Sequence, residues 1–335
     1  MHRRTFLGLL AALPVVGRLP AADAPGRIQT VLGPVEPAAL GVTLPHEHIL
    51  VDFVGAQTVS PDRYRTDDVI ATALPHLQAA HRRGVRTLVE CTPAYLARDP
   101  RLLARLSEAS GLHLLTNTGL YGARENRFLP DYAHAETAAQ LADRWIAEAR
   151  DGIDETGIRP GFIKCGVDPE STLSPMHHKL VTAAALTHRQ TGLTIAIHTG
   201  RGPGLDQLAI LQAQGVAASA FIWVHAQNAL DDALLAAARQ GAWISLDGLA
   251  PTTAARHRHL CELLRKHDLL SRVLLSHDAG WYDPAKPGGG DYRGYAFLSD
   301  GFLPALREAS FSTAEIDDLT RNNPARAFTV APRLL

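Results

Sequence analysis

The sequence predicts an α/β protein built as a single (β/α)8 TIM barrel with a short N-terminal β-hairpin. Two observations carry that expectation and a third sets aside the alternative. Eight short β-rich runs alternate with helical segments, the order that places parallel strands inside a ring of helices. A length of 335 residues, 46% of them hydrophobic, is enough for one large core. A doubly wound open sheet would show a glycine fingerprint after its first strand, and the chain has none.

The elements follow in order. Residues 1–26 stand apart from the fold: Arg3 and Arg4 precede an apolar run from Phe6 to Val16, then small residues and prolines. So short a run is the apolar region of an export signal rather than a membrane span. The paired arginines point to the twin-arginine route, so the expected location is periplasmic or secreted, with residues 27–335 forming the barrel. No other segment is long and apolar enough for a bilayer. After the signal, two short strands flank the turn at Gly33 and Pro34 and lead into "TLPHEHIL", Thr43 to Leu50, the first barrel strand. The other seven are Arg86–Thr92, His113–Tyr121, Gly161–Val167, Thr194–Gly200, Phe221–Ala226, Ala242–Gly248 and Val273–Asp278. Helical periodicity fills the gaps, as in "DPRLLARLSEASG", "HKLVTAAALTHRQTG" and "DDALLAAARQG", each closing on a glycine.

A net charge of −1 gives no case for nucleic acid or an anionic membrane surface as partner. Cys91, Cys165 and Cys261 are odd in number and far apart. They form neither a disulfide framework nor a zinc-knuckle spacing and read as small buried apolar residues.

Polar residues interrupt the strands where a barrel builds its active site, at their C-terminal ends. Alternation along the first strand puts His46 and His48 on one face and Glu47 on the other. Lys164 sits in the fourth strand, while His198, His225 and Asp278 end the fifth, sixth and eighth. Singly, each has a structural reading: a hydrogen-bonded core histidine, a helix-capping aspartate, a paired lysine. Together in one mouth they would be too costly to bury without compensation, and a metal centre supplies it. Imidazole and carboxylate suit zinc and its divalent neighbours, and so many groups are too many for one zinc and enough for two.

The same residues carry a resemblance. Together with "GPVEPAALGVTLPHEH", "GFIKCGVD", "HTGRGPG", "ILQAQGV", "SHD" and "NNPARAF", they resemble the amidohydrolase superfamily and, more narrowly, its phosphotriesterase family, over nearly all of Ile28 to Phe328. The resemblance implies two divalent ions, zinc first, with manganese, cobalt or iron as alternatives. His46, His48 and Asp278 would hold the more buried ion, and His198 and His225 the more exposed one. Lys164 would be carboxylated to N6-carboxylysine and bridge them. A metal-bridging hydroxide would attack the substrate, with Asp278 taking and passing the proton. It also implies a homodimer.

Two departures bear on the substrate. Phosphotriesterases carry a histidine after the aspartate of the seventh strand and the related lactonases an arginine; here "SLDGLA" places Gly248 there, and "AQN" puts Gln227 and Asn228 where phosphotriesterases have an acidic pair. The expected reaction is therefore cleavage of a carboxylic ester, lactone or amide in a small molecule, with organophosphate hydrolysis as the alternative. A non-catalytic periplasmic binding protein is the alternative from another class. Candidate substrate contacts are Tyr121, Arg124, Arg201, Trp281, Tyr282 and Arg293, with the arginines suited to an anionic group. The glycine run from Pro287 to Gly290 reads as a lid segment.

Overall fold

The computed structural model describes residues 26–170 and 172–335; the predicted export signal thus lies outside the described residues, save for Gly26. Strands β1 (Ile28–Thr30) and β2 (Gly33–Val35) form an antiparallel hairpin. Gly33 has a φ of 114°, a conformation that glycine adopts at no steric cost.

The barrel strands are β3 (Val42–Glu47), β4 (Val85–Glu90), β5 (His113–Leu115) with β6 (Asn117–Thr118), β7 (Phe162–Gly166), β8 (Thr194–His198), β9 (Phe221–Val224), β10 (Trp243–Leu246) and β11 (Val273–Leu275). Their pairings are all parallel. They run as a three-stranded arc from β3 to β5 and a six-stranded arc from β6 to β11. The two arcs join at the third barrel position, which the sequence predicts as one continuous strand and the structure breaks at Thr116. The break has a side-chain cause. Asn117 reaches back to donate to the carbonyls of Glu90 and Thr92 at 3.1 and 3.0 Å, so the chain pairs with β4 before Thr116 and with β7 after it. The far edges meet through backbone bonds just past the strands, from the Asp278 N–H to the His46 carbonyl (3.1 Å) and from the His48 N–H to the Ala279 carbonyl (2.9 Å).

The outer ring comprises α1 (Thr66–Arg82), α2 (Pro100–Ser110), α3 (Asp131–Ala135), α4 (Ala138–Asp151), α5 (Pro175–Thr191), α6 (Gly204–Ala213), α7 (Asp231–Gln240) and α8 (Ala254–Lys266), followed by the short α9 (Leu303–Glu308), α10 (Thr313–Asp317) and α11 (Asn323–Phe328). Local chemistry sets several ends. Asp99 caps α2 by accepting from the Leu102 N–H, Thr137 and Gln140 form a capping box on α4, and Ser174 caps α5. Gly111, Gly192 and Gly241 close α2, α5 and α7 in the left-handed conformation.

Strand alternation divides the core into two layers. Phe162, Ile222, Trp243 and Leu274 pack inside the barrel, whereas Ile163, Ile195 and Val273 face outward against Leu180, Leu208 and Leu264 of the helices. Each such fully buried side chain contributes roughly 1.5–3 kcal/mol. The three cysteines are buried and free, and burial pushes the Cys165 and Cys261 thiols up to about 12. Among the described residues no helix is long and apolar enough to cross a membrane.

Candidate active site

A cavity of about 290 Å³ opens at the C-terminal ends of the strands, and His46, His48, Lys164, His198, His225 and Asp278 all line it. Asp278 is the hinge of the arrangement. Its Oδ1 lies 3.4 Å from His46 Nε2 and 3.2 Å from His48 Nε2, and its Oδ2 lies 4.0 Å from His225 Nε2. The imidazoles continue across the mouth, with ring centroids 5.1 Å apart for His46 and His225 and 4.5 Å for His198 and His225. Asp278 and His225 both sit in the left-handed backbone region, at φ of 53° and 59°. Non-glycine residues adopt it at a cost that surrounding structure must offset, typically at functional sites.

Two of the rings, His48 and His225, are anchored from behind. His48 Nδ1 meets Thr92 Oγ1 at 2.8 Å, and the Thr92 hydroxyl donates to Glu90 Oε1 at 2.5 Å. With its hydroxyl proton committed to Glu90, Thr92 accepts from Nδ1–H, which leaves the His48 Nε2 lone pair facing the cavity. Asp247, fully buried, faces two rings: its Oδ1 accepts from His225 Nδ1, and its Oδ2 lies 3.3 Å from His46 Nδ1 without a hydrogen bond between them. Ser245 and Gln227 hold Asp247 in turn, at 2.8 and 3.3 Å. Glu47 points away from the cavity and ties β3 to the eighth-strand exit, accepting from Ser276, His277 and Ala279.

The electrostatics favour neutral rings at His46 and His198 beside an ionised Asp278. Burial, helped by the Lys164 charge, lowers His46 to about 4. Burial and the neighbouring His225 place His198 well below the usual range. Burial disfavours charge on His225, but Asp247 outweighs it and raises that pKa. Burial likewise opposes the charge of Asp278, yet the close approach of His46, His48 and His225 holds its carboxyl well below the ordinary value.

These residues fit a metal centre. One donor atom from each of His46, His48 and Asp278 lies within 4.8 Å of the others, and Asp278 Oδ1 is buried without a hydrogen-bond partner. Neutral imidazole nitrogens and a carboxylate suit zinc, manganese, cobalt or iron.

The candidate substrate contacts divide. Tyr121, Arg124 and Trp281 line the cavity. Tyr282 does not: it is packed in the apolar core, with the Gly289 backbone against its ring. Arg201 is exposed and outside the lining, and Arg293 donates to the Asp278 carbonyl from behind. The Pro287–Gly289 turn is closed by backbone bonds from Asp283 to Gly289 and from Gly289 to Lys286. Sequence reasoning passed over Thr92, Glu90 and Asp247 as anchors. Asp247 ends an apolar strand just as Asp278 does, and that signal was enough to find it. Gly248, at φ 77°, leaves its place to Gln227: a Cβ there would stand 3.3 Å from Gln227 Nε2.

Fold and site together define a metal-binding barrel hydrolase. The phosphotriesterase family matches residues 26–328, and the chain belongs to that family. It is 32% identical over 294 residues to the phosphotriesterase homology protein of Escherichia coli (strain K12), covering 86% of this chain and 98% of that one. It is 26% identical over 353 residues to the N-acetyltaurine hydrolase of Rattus norvegicus, covering 91% and 98%. Among solved structures, a triply substituted organophosphorus hydrolase from Deinococcus radiodurans aligns with a TM-score of 0.81 at 30% identity, over 91% of this chain and 99% of that one. The chain is thus an enzyme, a hydrolase acting on small molecules, and the non-catalytic alternative falls away.

Proposed function

We propose that the protein hydrolyses a carboxylic ester, lactone or amide at two divalent ions, zinc first. The observation that carries this reading is the gathering of four histidines, Lys164 and Asp278 in one cavity. His46, His48 and Asp278 would hold one ion, and His198 and His225 the other. When bound, the ions polarise the substrate oxygen and acidify a water. Asp278 turns Oδ1 to His46 and His48, which leaves Oδ2 to take the proton of the attacking water and pass it to the leaving group. Tyr121, 5.1 Å from the His198 ring, and Trp281, 4.8 Å from the His48 ring, exclude water from the two sides.

Lys164 is 2% exposed and lines the cavity with the four histidines and Asp278. As a free ammonium its charge would repel a bound cation, the opposite of what a cation-binding centre needs. Carboxylation to N6-carboxylysine would reverse that sign; a free amine at Lys164 in metal-loaded protein enriched with carbon-13 bicarbonate, read by NMR, would reject it. Export by the twin-arginine route remains part of the proposal and is tested by sequencing the N-terminus of periplasmic protein, where an intact Arg3-Arg4 pair counts against it.

The likeness to an organophosphorus hydrolase favours phosphotriester cleavage as a second reading. Against it stand Gly248, at the place where phosphotriesterases carry a proton-relaying histidine, and Gln227, which fills the space beside it and donates to Asp247. A panel of esters, lactones, amides and phosphotriesters, run with metal content measured, separates the two. The first reading expects two metals per chain and acyl turnover above phosphotriester turnover; the reverse ranking, or full activity with one metal, overturns it.

A further inference from the structure

Three arginines near the mouth are committed to the protein frame. Arg63 pairs with Asp52 at 2.5 Å, Arg127 donates to the Val54 carbonyl at 3.2 Å, and Arg293 donates to the carbonyl of Asp278. Arg124 lines the cavity, yet among the described residues its guanidinium has no carboxylate and no hydrogen-bond acceptor. It lies over the face of Phe53, 4.9 Å from the ring centroid.

The loop beneath is built to hold it there. Arg124, Glu125 and Asn126 all have positive φ, at 58°, 59° and 62°, a run that non-glycine residues do not adopt unassisted. Asp168 fixes it by accepting from the Arg124 and Glu125 N–H groups, at 2.5 and 3.2 Å. Among the described lining residues the other acidic group besides Asp278 is Asp168, and it holds the Arg124 backbone rather than pairing with the guanidinium. Between Arg124 and the metal ligands lies an apolar wall: the guanidinium rests on Phe53, Phe53 stacks on Trp281 at 5.5 Å, and Trp281 meets His48 at 4.8 Å. Val51 and Leu96 complete that wall.

From this geometry we propose that the site selects acyl substrates bearing a carboxylate, held by Arg124, at the far end of a short apolar spacer from the scissile carbonyl. The proposal rests on the hydrolase reading above. A planar guanidinium takes a carboxylate through two parallel hydrogen bonds, Phe53 and Trp281 take the spacer, and the volume of about 290 Å³ limits the whole to a small molecule.

The probe is mono-4-nitrophenyl adipate against its methyl ester, which share a leaving group and differ by one charge. Wild-type protein should prefer the free acid, and Arg124→Gln should reduce that preference, the ratio of the two kcat/KM values, by about tenfold, chiefly through KM for the acid. Arg124→Lys should restore part of it. A second arm needs no turnover: calorimetric titration of adipate into metal-loaded protein should weaken by a similar factor in Arg124→Gln. No preference in the wild type, or a ratio and an adipate affinity indifferent to Arg124, overturns the proposal and leaves the hydrolase standing. If neither ester is cleaved while adipate binding still depends on Arg124, the acyl-cleavage reading falls and anion selection survives.

Discussion

Buried histidines occupy two ends of this barrel and do different work. At the mouth, His46, His48 and His225 each give the protein one nitrogen, Nδ1 towards Asp247 or Thr92, and turn Nε2 towards Asp278. At the opposite end, His188 spends both nitrogens on the frame: Nδ1 donates to the Leu193 carbonyl at 2.8 Å, and Nε2 accepts from the Arg333 N–H at 2.9 Å. His277, next door to Asp278, behaves like His188, with Glu47 on one nitrogen at 2.7 Å and the Leu298 N–H on the other at 2.9 Å. Residue type and burial are the same in both groups. The nitrogen left over marks the ligand.

The sharpest way to break that contrast is at Asp278, the group to which the spare nitrogens turn. Asp278→Asn keeps the size of the side chain but removes a charged ligand and the proton acceptor. Turnover should fall by about 10²–10⁴-fold or more, while thermal unfolding of the metal-free protein shifts little, because Oδ1 has no hydrogen-bond partner to lose. Retained turnover in a steady-state assay would remove Asp278 from the mechanism.

This contrast also shows what was legible in the sequence. The β/α rhythm and the polar strand ends could be read because each depends on local periodicity. The same-face placement of His46 and His48 needed only the pleat. The break at Thr116 could not be read, since its cause is Asn117 bonding to carbonyls 27 and 25 residues away. Nor could Tyr282 be told from Trp281: both are aromatics in one loop, and only packing decides that one faces the core and the other the cavity. Arg124 and Arg201 look alike as loop arginines until Asp168 is seen gripping the backbone of one.

A smaller effect is expected one step behind the ligands. Asp247 joins the halves of the site, since its two oxygens face His46 and His225. Asp247→Asn preserves shape but removes the charge beside both rings, and loss of such an orienting carboxylate typically costs 10- to 100-fold in metal affinity or activity. Chelator titration followed by residual activity measures it. An unchanged metal affinity would mean that the rings are held by packing alone.

The smallest effect belongs to the frame histidine and concerns pH rather than catalysis. Burial lowers the His188 pKa, outweighing the hydrogen bond to Leu193. The folded protein therefore binds this proton less readily than the unfolded chain, whose histidines titrate near 6.5. The stability that neutral His188 supplies is thus complete above about pH 6.5 and is lost as the pH falls towards the lower folded value, where the charged ring can no longer accept from Arg333. His188→Leu should cost about 2 kcal/mol at pH 8, because the Arg333 N–H and the Leu193 carbonyl lose their partner. It should also flatten the decline in unfolding midpoint below pH 6.5 in metal-loaded protein, with two metals and kcat/KM retained. If metal is lost instead, the two ends of the barrel are coupled, and the division between frame and ligand histidines fails.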